Sequence, residues 1–274
     1  MAAGDILHVA GSLSPSRNAA KFIATADEAV VIDQWAVDRV AAGDAVGTIT
    51  AWINVPDITG DYGIISAGDT AAIEFLTLRI TSGKLVVELN DATVDKFEHT
   101  STNVVVTPHK WMHVAVVQDG VKPRLFVNGA RVAQSQTLGT DNTLWFGALA
   151  LTDDASIGAA EEAGAAAQIR EFKGAISDIK YWNAALTDAQ IKQDYEGRPP
   201  ATINANLLDW WDFRDDCVNS VDATHNGTAG ASIKLCNQYS EFTSRLAFLG
   251  QVVADNTVIG VNEREGHCVV VKNA

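Results

Sequence analysis

The sequence is short of cysteine, of positive charge and of long apolar runs. Its 274 residues contain three cysteines, Cys217, Cys236 and Cys268, all in the last quarter. An odd number with no C-x-x-C pair signals neither a zinc site nor a closed disulfide framework, and reads as thiols in a reducing compartment. Basic residues number 20 against 34 acidic ones, a formal net charge of −14. A protein that grips phosphates needs the opposite balance, which excludes a nucleic-acid binder; the acidity suits solubility, divalent cations or a partner with a basic face. No window approaches the roughly 18 consecutive apolar residues of a membrane-spanning helix. The opening Met1-Ala-Ala-Gly-Asp5 has neither the basic stretch nor the apolar run of a secretory leader, so the expectation is a chain made in the cytoplasm and left soluble. Gly-x-Ser-x-Gly and His-Glu-x-x-His are also missing, and with them the nucleophile and metal-ligand patterns of two large hydrolase classes. No long-period repeat occurs.

What is present reads mostly with period two. Ile49, Ala51, Ile53 and Val55 alternate with Thr50, Trp52 and Asn54, and Leu76, Leu78 and Ile80 alternate with Thr77 and Arg79. Leu85, Val87 and Leu89 follow just after Ser82-Gly83, a hairpin signature. A second hairpin joins Trp111–Val117 to Arg124–Asn128, and Asn128-Gly129 turns the chain again towards Arg131. Further strands are expected over Thr143–Phe146 and Phe172–Trp182, with a surface loop over the Ala/Gly/Glu-rich stretch Asp153–Ala167 between them. One helix is signalled: Thr187-Asp-Ala-Gln190 fits a capping box, and Gly197 with Pro199-Pro200 stops it. Short strands with a single late helix predict an all-β, two-sheet antiparallel β-sandwich over residues 21–232. Residues 1–20 read as an N-terminal arm. Residues 233–274, with apolar runs at Leu246–Val253, Thr257–Val261 and Cys268–Val271, read as a C-terminal β extension packing on the sandwich or on a neighbouring subunit.

Four stretches resemble the laminin-G-like, concanavalin A-like jelly rolls. They are Gly47–Ile53 with Gly63–Ser66, then Lys110–Val116 with Asp119-Gly120 and Arg124–Gly129, then Phe172–Trp182 with Ala185–Ile191, and last Leu207–Phe213 with Asp222–Gly227. The second stretch is similar to the family's "W-x-H-V-A … D-G … L-Y-V-N-G" hairpin and is the most specific. The resemblance covers roughly residues 20–230 and implies a jelly-roll sandwich; this superfold carries lectins, adhesion modules, glycanases and virion proteins alike.

Glycanase chemistry needs two carboxylates flanking a sugar, and retaining glucanases of this fold place them alternately along one strand. No expected strand carries that pattern, and Glu161-Glu162 is adjacent and in a loop, so no enzyme activity is expected. His109 and His113 begin a strand, where four residues span about 13 Å, too far to share an ion, and His113 reads as a packed, hydrogen-bonded histidine. The ion whose chemistry fits is calcium, bound by loop oxygens of Asp215, Asp216, Asp222 and Asn226 beside Asp209 and Asp212, or else near Asp57, Asp61 and Asp69. Asx-turns explain the same residues without an ion. For stacking on a glycan the candidates are Trp145 and the outward members of the pairs Tyr181-Trp182 and Trp210-Trp211, assigned to Trp182 and Trp211.

Two functions follow. The first is a structural or adhesive component of a virion, a capsid decoration or fibre protein of a tailed bacteriophage made in the host cytoplasm. It would bind capsid proteins and form a homo-oligomer, dimer or trimer, through its extensions. The opening residues Met1–Leu7 are similar to the start of phage particle proteins. The alternative is a calcium-assisted, lectin-like module that binds a cell-surface polysaccharide. Neither involves nucleic acid or membrane insertion.

Overall fold

The computed structural model describes residues 7–8, 17–24, 28–69, 71, 73–92, 94–162, 169–214, 216–236, 257–262 and 267–272. In chain order its strands are β1 (Leu7–His8), β2 (Ala19–Ile23), β3 (Val30–Val31), β4 (Gly47–Asn54), β5 (Asp61–Gly68), β6 (Phe75–Thr81), β7 (Lys84–Asp91) and β8 (Val94–Ser101). They continue as β9 (Met112–Gln118), β10 (Pro123–Val127), β11 (Ala130–Arg131), β12 (Gln134–Gly139), β13 (Asp154–Ile157) and β14 (Lys173–Trp182). The last are β15 (Leu207–Trp211), β16 (Thr228–Ala229), β17 (Lys234–Cys236), β18 (Thr257–Asn262) and β19 (His267–Lys272). The α-helices among the described residues are α1 (Asp33–Ala41), α2 (Asp188–Tyr195) and α3 (Pro200–Ile203).

The chain forms two units. The larger, Asn18–Leu235, is a jelly-roll sandwich of two antiparallel sheets. Its first sheet has the order β11-β10-β9-β4-β14-β2-β17, with β15 also paired to β14; its second has the order β12-β8-β7-β6-β5-β13-β3-β16. The smaller unit draws on both chain ends, Met1–Arg17 and Cys236–Ala274, and holds a three-stranded sheet in the order β1-β19-β18. The apolar run expected at Leu246–Val253 lies outside the described residues.

Alternation dictates the core. Ile49, Ala51 and Ile53 of β4 and Leu76, Leu78 and Ile80 of β6 turn between the sheets, where apolar burial supplies the main driving force. Trp35 stands in this core with edge-on contacts to Phe146, Tyr181 and Trp211 at centroid distances of 5.1, 5.6 and 5.9 Å. Both hairpin turns form where the sequence places them. Ser82-Gly83 and Asn128-Gly129 each take two successive positive φ angles, the backbone of the tight turns that match strand twist. The capping box of α2 is present in both directions, from Gln190 N to Thr187 Oγ1 and from Thr187 N to Gln190 Oε1.

Three expectations are corrected. A helix not expected from the sequence, α1, packs Trp35, Ala36 and Arg39 inward and ends at Gly43, whose φ is +67°. Residues Thr143–Phe146 do not form a strand. The Gln118 amide donates to the carbonyls of Asn142 and Leu144, satisfying them without a ladder, and Phe146–Ala148 coils into a 3₁₀ turn. The stretch expected as a surface loop contains β13, and Ala155 to Glu162 are buried. Its small residues serve close packing, as the site shows.

Candidate functional site

The two sheets present unlike outer faces. On the first, α2 and α3 close over Ala115, Val117, Phe126 and Trp182, making a second apolar cluster with Leu186, Ile191 and Ile203. Asp194 of α2 reaches the sheet, with Oδ1 3.0 Å from Lys180 Nζ and Oδ2 3.1 Å from His113 Nε2. Tyr195 stacks on Trp52 at 5.6 Å. His113 is thus the packed, hydrogen-bonded histidine the sequence predicts.

The outer face of the second sheet is polar. Register aligns Ser156, Ser66, Thr77, Glu88 and Glu98 directly across β13, β5, β6, β7 and β8. Arg79, the next outward residue of β6 after Thr77, is 5% exposed. Its Nη1 lies 2.6 Å from Glu88 Oε2, its Nη2 2.7 Å from Glu98 Oε2, and its Nε 3.7 Å from Asp61 Oδ1. Arg170 completes the network by bonding Asp61 through Nη1 and Glu162 through Nε and Nη2, the latter two at 2.8 and 2.7 Å.

Glu162 and Arg170 come from the chain after β13, which returns across the sheet. Gly63 N donates to the Arg170 carbonyl, Glu161 N donates to Ser66 Oγ, and Ser66 Oγ bonds Thr77 Oγ1. The return passes so close that a Cβ on Gly63 or Gly68 would run into the backbone of Ala159 or Glu161. Within the network Glu162 Oε1 and the Arg79 Nε and Nη1 atoms are ion-paired but meet no partner at hydrogen-bond geometry among the described residues.

Charge states differ across the face. Burial pushes the Glu88 carboxyl up to about 7, with Glu162 and Glu98 adding to the effect against Arg79. Glu98, also penalised by burial, is nevertheless held below the usual range by the Thr137 hydroxyl and Arg79. Asp154 at the head of β13 is likewise raised to about 7 by burial, by Asp33 and by Glu161. A carboxyl raised on folding stabilises fully below its unfolded value, and that contribution is lost as pH rises through its folded value. The thermal midpoint should therefore fall by about 5 °C between pH 5 and pH 8, and Glu88→Gln should flatten the decline. A midpoint that rises over this range in calorimetry contradicts the assignment.

The predicted site residues are placed differently. Trp145, Trp182 and Trp211 are all buried and offer no ring face to a glycan. Trp182 points outward from its sheet, as alternation allows, but lies under α2; Trp211 turns into the core beside Trp35. The half-buried member of that pair is Trp210, which donates Nε1–H to Asp178 and lies beside Lys180. Asp216, Asp222 and Asn226 each accept from a backbone amide of their own loop. Asp216 accepts from Val218 N, Asp222 from Thr224 N, and Asn226 from Asn219 N. Asp215 lies outside the described residues. Asp57, Asp61 and Asp69 likewise have separate partners: Tyr62, Arg170 and Ala71 N. Among the described residues no group of three or more His, Cys, Asp or Glu is placed to hold a metal ion. Arg79, Glu88, Glu98, Glu162 and Arg170 are the residues sequence reasoning missed. Their signal was the outward position of Thr77 and Arg79 between apolar neighbours.

Known structures share this architecture. The carbohydrate-binding module CBM40 of the Ruminococcus gnavus IT-sialidase, solved with α2,3-sialyllactose, matches at 19% identity and TM-score 0.51, over 64% of this chain and 97% of that one. A putative carbohydrate-binding protein from Bacteroides ovatus matches at 19% identity and TM-score 0.51, over 82% and 61%. The leech intramolecular trans-sialidase matches at 21% identity and TM-score 0.51, over 65% of this chain but 28% of its own. These likenesses establish the fold. No curated protein sequence matches the chain. The family model for the concanavalin A-like lectin/glucanases superfamily matches residues 21–192, more than half of the sequence, and the chain belongs to that superfamily.

Proposed function

We propose that the larger unit is a non-catalytic carbohydrate-binding module that takes its glycan on the outer face of the second sheet. The observation that carries this reading is the asymmetry of the sandwich: helices seal one outer face, while the other carries a floor of polar side chains held in place by one another. Recognition of a polyol rewards such preorganisation, because few rotamers have to be frozen on binding. The carbohydrate-binding neighbours favour this reading over that of a virion component, which has no comparable support. Catalysis does not suit the face. Glu88 and Glu98 sit on the two terminal nitrogens of a single guanidinium, whereas glycosidases keep their carboxyls roughly 5–9.5 Å apart with the sugar between them.

The test is a glycan array probed with the full chain, followed by titration of the best hit. Gln136 and Thr137 are exposed on β12 beside Glu98, and Thr137 donates to that carboxylate. Replacing both with alanine should weaken binding about tenfold with the melting midpoint nearly unchanged. An array without a saccharide hit sinks the proposal.

A further inference from the structure

Resting on that reading, we infer that this face selects glycans without acidic groups and rejects sialylated and uronic-acid glycans. The reason is the charge balance of the network. Each cationic head in the network is already engaged by carboxylate: Arg79 by Glu88, Glu98 and Asp61, and Arg170 by Asp61 and Glu162. At the β7–β8 turn, Lys96 is 3.2 Å from Asp91. Lys84, on the same outward side of β7, is four residues from Glu88, or about 13 Å along the strand.

Carboxylates, moreover, are in surplus. Four of them, Asp61, Glu88, Glu98 and Glu162, face two guanidiniums, and Glu162 Oε1 is itself 3.9 Å from Arg79 Nη1. Even with the Glu88 carboxyl raised to about 7, negative charge exceeds positive there.

A face whose carboxylates outnumber its cations and already hold them can accept from sugar hydroxyls, which bring donors at no charge cost. A glycan carboxylate would bring more acceptors and a like charge. It would have to displace a protein carboxylate from Arg79 or Arg170, or sit unpaired beside the others. Like-charge juxtaposition of that kind costs several kcal/mol. The chain's net charge of −14 adds long-range repulsion of the same sign.

The experiment is calorimetric titration of the unmodified full chain with two sets of probes. The neutral set is cellohexaose, maltohexaose and an N-acetylglucosamine hexamer. The acidic set is 3′-sialyllactose and a galacturonic acid hexamer. The expected result is binding within the neutral set, at least about tenfold tighter than any acidic probe, and little changed between 50 and 500 mM salt. An acidic probe that binds as tightly as the neutral ones, or whose binding weakens steeply with salt, overturns the inference while leaving the glycan-binding reading in place. Failure of both sets on a broad array removes that reading, and the inference falls with it.

Discussion

Asp194→Ala is expected to cost about 3–5 kcal/mol of stability. The carboxylate is 2% exposed and lies between the Lys180 ammonium, itself 5% exposed, and the His113 imidazole. Although burial acts against its charge, Lys180 and His113 hold the Asp194 carboxyl well below the usual range. Removing it leaves an ammonium buried beneath α2 with its main counter-charge gone, which costs more than the pair itself contributes. It also loosens the stack of Tyr195 on Trp52, so near-ultraviolet dichroism should change with the loss. The double variant Asp194→Leu with Lys180→Met separates the two effects: with neither charge buried, most of the loss should return. Urea denaturation reads both variants. A single-variant loss below about 1 kcal/mol would mean that water reaches the cluster and that α2 does not seal the face.

His225→Ala should cost about 3 kcal/mol, and more in acid than in alkali. Buried in the turn after β15, the imidazole has Nδ1 2.5 Å from Asp209 Oδ1 and Nε2 3.0 Å from Asp38 Oδ2, so it joins β15 to α1. With a carboxylate at each nitrogen, both positions want a proton. Burial alone would lower its pKa, but hydrogen bonds to Asp209 and Asp38 raise it above the ordinary 6.5. A histidine raised on folding contributes fully below its unfolded value, and the contribution fades as pH rises through the folded one. The stability gap between the native chain and the variant should therefore be wider at pH 6 than at pH 9. An equal gap at both would show that the ring is neutral in the folded state. In the native chain the His225 ring resonances should titrate above 6.5.

The Asp194 cluster was half legible in the sequence. Alternation set Thr50 apart from the apolar residues of its strand, and the capping box placed α2, yet neither says that Lys180 lies beside Thr50 or that Asp194 lands on it. That depends on where the connection after β14 lays the helix. The tryptophan pairs show the same limit. Period two correctly separates Trp210 from Trp211 but does not say which faces the core, and the sign went the wrong way. For Tyr181-Trp182 the rule worked and the conclusion still failed, because the outward ring is covered by α2. The polar face is hardest to read. Its members are brought together by cross-strand register and by a returning segment, whose alanines and glycines look like loop composition because only small residues fit flat against a sheet. Helix α1 escaped notice for a simpler reason. Trp35, Ala36 and Arg39 have helical spacing, but a buried arginine does not count as apolar in a hydrophobic pattern.

The pairing of Leu7 with Val270 and of His8 with Val269 joins positions more than 260 residues apart in the sequence. Closing so long a loop carries a high entropic cost, so this pair is expected to form late in folding. Fluorescence transfer between labels at residues 7 and 270 would then serve as the clock that times the final step of folding.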